Sequence, residues 1–163
     1  MSFDGYLKLD GVPGECTDDK HKDWIEILSY EMGLSQGSSA SHSTAGGSAA
    51  GKVNFHDLTI NHFVDKASAK LFEMCAKGTH IKDGTIELCR AGGDKFKYLE
   101  IKLDNLLVTS LSSSGAPSGS DFPSEVFTLN FGKIKVTYFK QNEKGGGAGQ
   151  VAFGWDLTAN KSM

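Results

Sequence analysis

The sequence has few cysteines, no long hydrophobic run and no block of basic residues. The three cysteines, Cys16, Cys75 and Cys89, are odd in number and form no Cys-x-x-Cys pair, so they indicate neither a disulfide framework nor a zinc site. No stretch approaches the roughly 18 apolar residues that a membrane-spanning helix needs. With a net charge of −3 and no basic cluster, neither nucleic acid nor an anionic membrane is favoured as a partner.

The N-terminal residues lack the pattern of a secretory leader. Residues 1–5 contain no cationic start followed by an apolar run, so we expect no cleavable signal peptide. The cysteines are then expected to be reduced thiols in the cytoplasm where the protein is made. A protein of this kind would leave the cell only by a route that needs no cleaved leader.

Motifs for catalysis are also missing. Residues 46–53 match a phosphate-binding loop except at Val53, where Ser or Thr would hold magnesium, and a strand follows instead of a helix. No Gly-x-Ser-x-Gly elbow occurs. His56 falls on one predicted strand and His62 at its end, about 20 Å apart, which is too distant for one metal ion unless the strand bends. The sequence therefore predicts no enzyme, no cofactor and no metal site.

Alternating apolar residues predict about eight strands. Residues 3–9 are typical of a half-buried strand, whereas residues 24–34 are apolar on both faces and predict a strand buried on both, either within the subunit or against a neighbour. Further strands are predicted over residues 53–61, 126–140 and 151–157. We expect Gly132 to introduce a bulge or bend into the long strand, and the chain after Asn160 to fray.

A hairpin and a single helix complete the pattern. Residues 81–103 predict two antiparallel strands that turn at Gly92-Gly93. Residues 65–77 predict a helix that Asp65 caps and Gly78 ends.

Two segments carry little apolar character. Residues 15–23 are charged, and we interpret them as an exposed loop whose acidic side chains are solvated. Residues 35–51 are rich in Ser and Gly, so they bury too little surface to offset their ordering entropy, and we expect a flexible loop. Connections of this length are often functional.

These elements predict a mainly β fold, namely a small β-barrel of two packed antiparallel sheets with one flanking α-helix. The sequence contains no internal repeat and no domain boundary. We therefore expect a single domain over residues 1–163, with 35–52 as a long flexible loop.

The order of several short motifs resembles the haemolysin co-regulated protein (Hcp) family, the tube component of bacterial type VI secretion. The motifs extend over nearly the whole chain, and their order and spacing carry the resemblance. They are residues 6–11, Gly14-Glu15, residues 18–27, Asp65-Lys66-Ala67-Ser68, Arg90-Ala91-Gly92-Gly93, Tyr98-Leu99-Glu100-Ile101, Val108-Thr109-Ser110 and Gly154-Trp155-Asp156-Leu157.

The resemblance implies a structural role. Subunits of this family form hexameric rings, and the rings stack into a secreted tube that carries small effector proteins in its lumen. The implied partners are further copies of the chain, a spike protein, a contractile sheath and effectors. The protein would be made in the bacterial cytoplasm and delivered to the extracellular space or a target cell.

Two sets of residues are predicted to carry contacts. The first is the long loop, whose length and lack of a core favour contacts between subunits or rings; its candidates are Ser35, Gln36, Ser38, Ser41, His42, Thr44 and Lys52. The second set, predicted to face the lumen, is Leu28, Ser29 and Glu31.

Two other functions are compatible with the residues. A monomeric β-barrel that binds a small ligand or sugar would contain a deep apolar pocket within one subunit. A hydrolase that uses His56 or His62 would lose turnover when that histidine is replaced.

Overall fold

The computed structural model describes residues 2–38, 50–119, 121–142 and 147–163. These residues form twelve strands and one helix. The first six strands are β1 (Phe3–Leu9), β2 (Ile25–Ile27), β3 (Ser29–Glu31), β4 (Leu34–Ser38), β5 (Ala50–Phe55) and β6 (Leu58–Phe63). The helix α1 (Ser68–Lys77) and the strands β7 (Ile81–Arg90), β8 (Lys97–Ser114), β9 (Ser124–Asn130), β10 (Lys133–Gln141), β11 (Gly147–Asp156) and β12 (Lys161–Ser162) follow.

Two antiparallel sheets pack together and share one long strand. The large sheet has the order β12-β11-β10-β8-β7-β1-β2, and the small sheet has the order β3-β6-β9-β8. The first part of β8 pairs with β7 and β10, and the second part pairs with β9. The strand changes sheets near Asn105, which has a φ of 55°, a left-handed conformation that asparagine tolerates better than most residues. The strands form a barrel that is not fully closed, which confirms the predicted fold class.

The hydrophobic core lies between the two sheets. Leu58, Ile60 and Phe127 of the small sheet are fully buried and belong to one cluster with Leu7 and Ile86 of the large sheet. Alternation along each strand places these side chains on the inner face, as period-2 patterns require.

The helix flanks the core. It begins at Ser68, three residues later than predicted, and its N-cap residue is Ala67, which makes no side-chain capping hydrogen bond. The prediction that Asp65 caps the helix is therefore wrong; its carboxylate accepts a hydrogen bond from the Ala67 amide at 2.8 Å in the turn before the helix. The helix ends where Gly78 adopts a φ of 62° and its amide donates to the Cys75 carbonyl. Leu71 on its inner face is fully buried.

The structure corrects two strand predictions and one loop prediction. Residues 24–34 are not one strand, because β2 belongs to the large sheet and β3 to the small sheet. Leu28 between the two strands is 47% exposed in the single chain, so this segment is not buried on both faces within the subunit. Residues 53–61 likewise divide between β5 and β6. The loop predicted over 35–51 is in part a two-stranded ribbon of β4 and β5.

The bulge or bend expected at Gly132 is a crossing between the two sheets. The chain leaves the small sheet at the end of β9 and enters the large sheet at β10. The Gly132 amide donates to the Asp104 carbonyl at 2.9 Å, which fixes this crossing beside the point where β8 changes sheets. The C-terminal residues expected to fray pair instead with β11 through Lys161 and Ser162.

Candidate functional site

The inner face of the large sheet is covered at one side and uncovered at the other. One row of directly paired residues crosses it: Leu7, Ile86, Ile101, Val136 and Phe153. The first three are 0% exposed, Val136 is half-buried, and Phe153 is 44% exposed. The apolar face therefore extends beyond the small sheet that covers the rest of it.

In the neighbouring row of paired residues, side-chain exposure also increases from β7 towards β11. Leu88 is buried, whereas Tyr138 and Val151, which lie in the same row on β10 and β11, are 51% and 73% exposed. We call Tyr138, Val151 and Phe153 the open apolar face. A contiguous exposed apolar surface on a globular protein marks an interaction site more often than an isolated exposed side chain does.

A second group of exposed apolar side chains lies near β1 and β2, at the opposite end of the large sheet from β11. Phe3, Leu28, Phe63 and Phe122 line one concavity and are 39%, 47%, 40% and 62% exposed. We call these four residues the edge patch. Four strand spacings of about 4.8 Å separate β1 from β11, so the two apolar surfaces are centred roughly 19 Å apart along the sheet.

The β4–β5 ribbon carries part of the predicted contact set. Within the described residues, β4 and β5 pair only with each other. Ser35, Gln36 and Lys52 are exposed on the ribbon, and Ser38 is the last residue of β4. The predicted contact residues Ser41, His42 and Thr44 lie outside the described part of the chain.

The residues predicted to face a lumen lie at and beside β3. Ser29 and Glu31 are exposed, while Tyr30 between them is half-buried and packs against the core. Leu28 precedes the strand and belongs to the edge patch. The structure thus separates Leu28 from the two polar residues, whose side chains alternate with Tyr30 along the strand.

The outer face of the large sheet is covered by the segment predicted to be a solvated loop. His21 in that segment is 1% exposed. Its Nδ1 lies 2.7 Å from Oδ2 of Asp18, and its Nε2 lies 2.7 Å from Oε2 of Glu87 on β7. The imidazole stacks on Tyr6 with a centroid distance of 3.9 Å and meets Trp24 edge-on. The prediction of a fully exposed acidic loop is therefore wrong at His21.

The carboxylates that hold His21 are in turn paired with lysines. Lys95 Nζ lies 2.5 Å from Oδ1 of Asp18, and Lys97 Nζ lies 3.4 Å from Oε1 of Glu87. The hydrogen bonds from Lys95 and then His21 lower the pKa of Asp18 from 3.8 to about 2. We call His21, Asp18 and Glu87 the His21 cluster.

The lowered pKa of Asp18 predicts a specific acid response. A carboxyl group whose pKa is lower in the folded than in the unfolded state stabilises the fold above its unfolded pKa, and that stability is lost as the pH falls through the folded pKa. We expect Asp18→Asn to lower the melting temperature at pH 7. Between pH 4 and pH 2 its melting temperature should fall less steeply than that of the wild type. Parallel melting curves for the two proteins would contradict the assignment.

A second buried ionisable pair lies between the paired strands β6 and β9 of the small sheet. His62 and Glu125 are both 0% exposed, with Nε2 of His62 3.1 Å from Oε2 of Glu125. The Ser68 hydroxyl donates to the same carboxylate oxygen at 2.6 Å. His56, by contrast, is exposed between β5 and β6. The two histidines therefore do not share one strand, and they occupy different environments.

Sequence patterns did not reveal the open apolar face or the His21 cluster. The residues of β11 are recognisable as a strand, but periodicity does not tell which part of a face its own chain covers. His21 and Glu87 are 66 residues apart in sequence. The spacing of Asp18 and His21, three residues apart, was the one local signal.

Comparison with known proteins gives a consistent result. A protein-family model described as "Type VI secretion system effector, Hcp" matches residues 6–138. The curated "Protein hcp1" of Pseudomonas aeruginosa is 37% identical over 164 aligned positions, which cover 98% of each chain.

Solved structures agree with the sequence comparisons. One described as a "type six secretion system protein" is 35% identical, with a TM-score of 0.94 over 99% of this chain and 100% of its own. Hcp1 from Salmonella typhimurium is 32% identical, with a TM-score of 0.82 over 99% of this chain and 100% of its own. Within the described residues, no helix is long and apolar enough to cross a membrane.

Proposed function

Since this chain belongs to the Hcp family of type VI secretion proteins, we propose that it is the repeating subunit of a secretion tube. Copies join head to tail into hexameric rings, and the rings stack. The proposed unit is the whole chain as one domain. The observation that carries the proposal is the open apolar face, where a continuous core row reaches solvent at Phe153.

A neighbouring copy is the occupant that fits this face. The row that includes Phe153 is the continuation of a packed core, so its partner must supply apolar side chains of similar size. The edge patch offers such side chains, with Phe3, Leu28 and Phe63 exposed together. Two different surfaces on one chain produce a head-to-tail contact, and such contacts close into a ring when the rotation per subunit divides the circle.

The geometry of the β4–β5 ribbon is compatible with a role in the stacking of rings. Among the described strands it pairs with no part of either sheet, and Leu34 at its base is 53% exposed. Unpaired strand edges favour association with another chain. We assign the contacts between subunits or rings to the ribbon, including the predicted residues Ser35, Gln36 and Lys52.

The lumen is assigned to the polar side chains of β3. Ser29 and Glu31 are exposed and would present hydrogen-bonding and charged groups to small effector proteins, which is compatible with cargo that must be released. The spike protein and the sheath of the apparatus would contact other surfaces of the tube. In this role the chain acts by its shape and has no catalytic function, and it is secreted as part of the tube.

The mass of the assembly tests the ring directly. Purified protein examined by multi-angle light scattering is expected to elute at about 105 kDa, six times the 17.5 kDa of one chain. A mass of one subunit at every concentration would favour the monomeric ligand-binding barrel instead.

Deleting residues 38–49 tests the predicted role of this segment in stacking. The deletion leaves every described strand of the two packed sheets in place, so the variant is expected to keep its fold and its ring mass. Stacked tubes, seen by negative-stain electron microscopy of the wild type, should be absent. Tubes of unchanged length in the deletion variant would refute the stacking role.

A further inference from the structure

We propose that His21, Glu87 and Cys89 form a binding site for a borderline-soft divalent transition-metal cation, Zn²⁺ foremost. The three side chains offer one nitrogen, one oxygen and one sulfur ligand, and these atoms all lie within 4.8 Å of one another. Such a mixed donor set is typical of zinc, whereas Ca²⁺ and Mg²⁺ prefer oxygen ligands alone. The site is independent of the proposed tube function.

The distances are compatible with coordination after small movements. At bond lengths of about 2.0–2.3 Å, the ligand atoms of a tetrahedral zinc site lie roughly 3.3–3.8 Å apart. His21 Nε2 and Glu87 Oε2 are closer, at 2.7 Å, because a hydrogen bond joins them. An ion would replace that hydrogen, and the two side chains need to separate by only about 1 Å.

The surroundings of His21 match those of a metal-binding histidine. Metal-ligating histidines commonly donate their other ring N–H to a carboxylate, which fixes the tautomer and the ring orientation. Asp18 occupies that position, with Oδ2 2.7 Å from Nδ1. Asp18 is thus a positioning residue, and the stacking of Tyr6 on the imidazole further restricts its rotation.

The site has a path from solvent and an open coordination position. His21, Glu87 and Cys89 line one surface cavity with Lys95 and Lys97, so a water molecule can supply the fourth ligand of a site that has three protein ligands. Burial and the neighbouring Glu87 raise the pKa of the Cys89 thiol to about 11. Coordination therefore transfers the Cys89 proton to solvent as the sulfur–metal bond forms.

Lys97 offers a substitution that should increase the affinity for the metal ion. Lys97 competes for Glu87, since its ammonium group lies 3.4 Å from Oε1. Removing this charge while keeping the aliphatic stem is expected to strengthen metal binding several-fold. Damage to the fold would have the opposite effect on affinity, so Lys97→Met distinguishes the two causes.

Cobalt titration of the full-length protein tests the proposal, because a Co²⁺–thiolate bond gives a charge-transfer absorption in the near ultraviolet. The wild type is expected to bind one Co²⁺ per chain with this band, and Zn²⁺ should displace it. Cys89→Ser should abolish the band. Cys16→Ser should retain it, because Cys16 is buried in the same side-chain cluster but is not one of the three ligands.

Zinc affinities by competition with a chelating dye complete the test. We expect His21→Ala to weaken binding by about tenfold or more, Asp18→Asn by about tenfold, and Lys97→Met to strengthen it. The absence of a thiolate band in the wild type, or equal affinities in wild type and His21→Ala, would overturn the proposal.

Discussion

Val151→Asp is expected to convert the rings into single subunits. Val151 is 73% exposed in one chain, so the isolated subunit should tolerate the change within about 0.5 kcal/mol of unfolding free energy. In the ring, the same position would be packed against a neighbour. There the substitution removes roughly 1.5–3 kcal/mol of apolar burial per contact and adds a carboxylate that lacks a partner.

Light scattering of Val151→Asp and of a matched control measures this effect. Gln150 precedes Val151 on β11, is exposed, and projects from the opposite face of the strand. We expect Gln150→Asp to keep the mass of the wild-type assembly while Val151→Asp elutes as one subunit. Equal masses for the two variants would mean that the open apolar face is not an interface.

His62→Leu is expected to cause a large loss of stability. The change leaves the Glu125 carboxylate buried, with the Ser68 hydroxyl as its remaining partner at 2.6 Å. Removing one partner of a buried ionisable pair lowers the free energy of unfolding by about 3–5 kcal/mol when both groups are charged. Urea denaturation of the subunit measures the difference.

The double variant His62→Leu/Glu125→Leu separates two effects on stability: the loss of the contact itself, and the burial of Glu125 without its partner. Because it removes both groups, we expect it to recover a large part of the stability lost by His62→Leu. His80→Leu is the matched control, since His80 is exposed and its Nδ1 lies 3.0 Å from Oδ1 of Asn105, which is also exposed. A shift for His62→Leu no larger than that of the control would contradict the role of the pair.

The turn between β7 and β8 and the end of the helix depend on residues close together in sequence, and the sequence predicted both. The hairpin of β7 and β8 turns where predicted, because Gly92 and Gly93 adopt φ values of 85° and 58° that favour glycine. The helix likewise ends at Gly78 for a conformational reason that the sequence makes visible.

Long-range pairing decided the elements that were predicted wrongly. Residues 24–34 alternate well enough for one strand, yet Ile27 pairs with Gly5 in one sheet and Ser29 pairs with Asn61 in the other. Nothing in the local pattern marks Leu28 as the corner. The partner of each half is determined by strands far away in sequence, which periodicity does not encode.

The candidate surfaces were harder to predict than the fold. Phe153 and Ile101 belong to one row, and the sequence treats both as inward-facing strand residues. Ile101 is buried and Phe153 is exposed because the small sheet covers only part of the inner face of the large sheet. The predicted contact residues Ser35 and Gln36 were found from composition, which identified the segment but not its pairing with β5.

Cysteine cross-linking tests most directly whether the open apolar face of one copy meets the edge patch of the next. In a Cys75→Ser background, a chain carrying both Phe63→Cys and Val151→Cys is oxidised and separated on a denaturing gel. Head-to-tail rings predict a ladder of bands that ends at six subunits, and either cysteine alone should leave the chains uncoupled. A double variant that stays monomeric on the gel, or a dimer formed by Val151→Cys alone, would contradict the account.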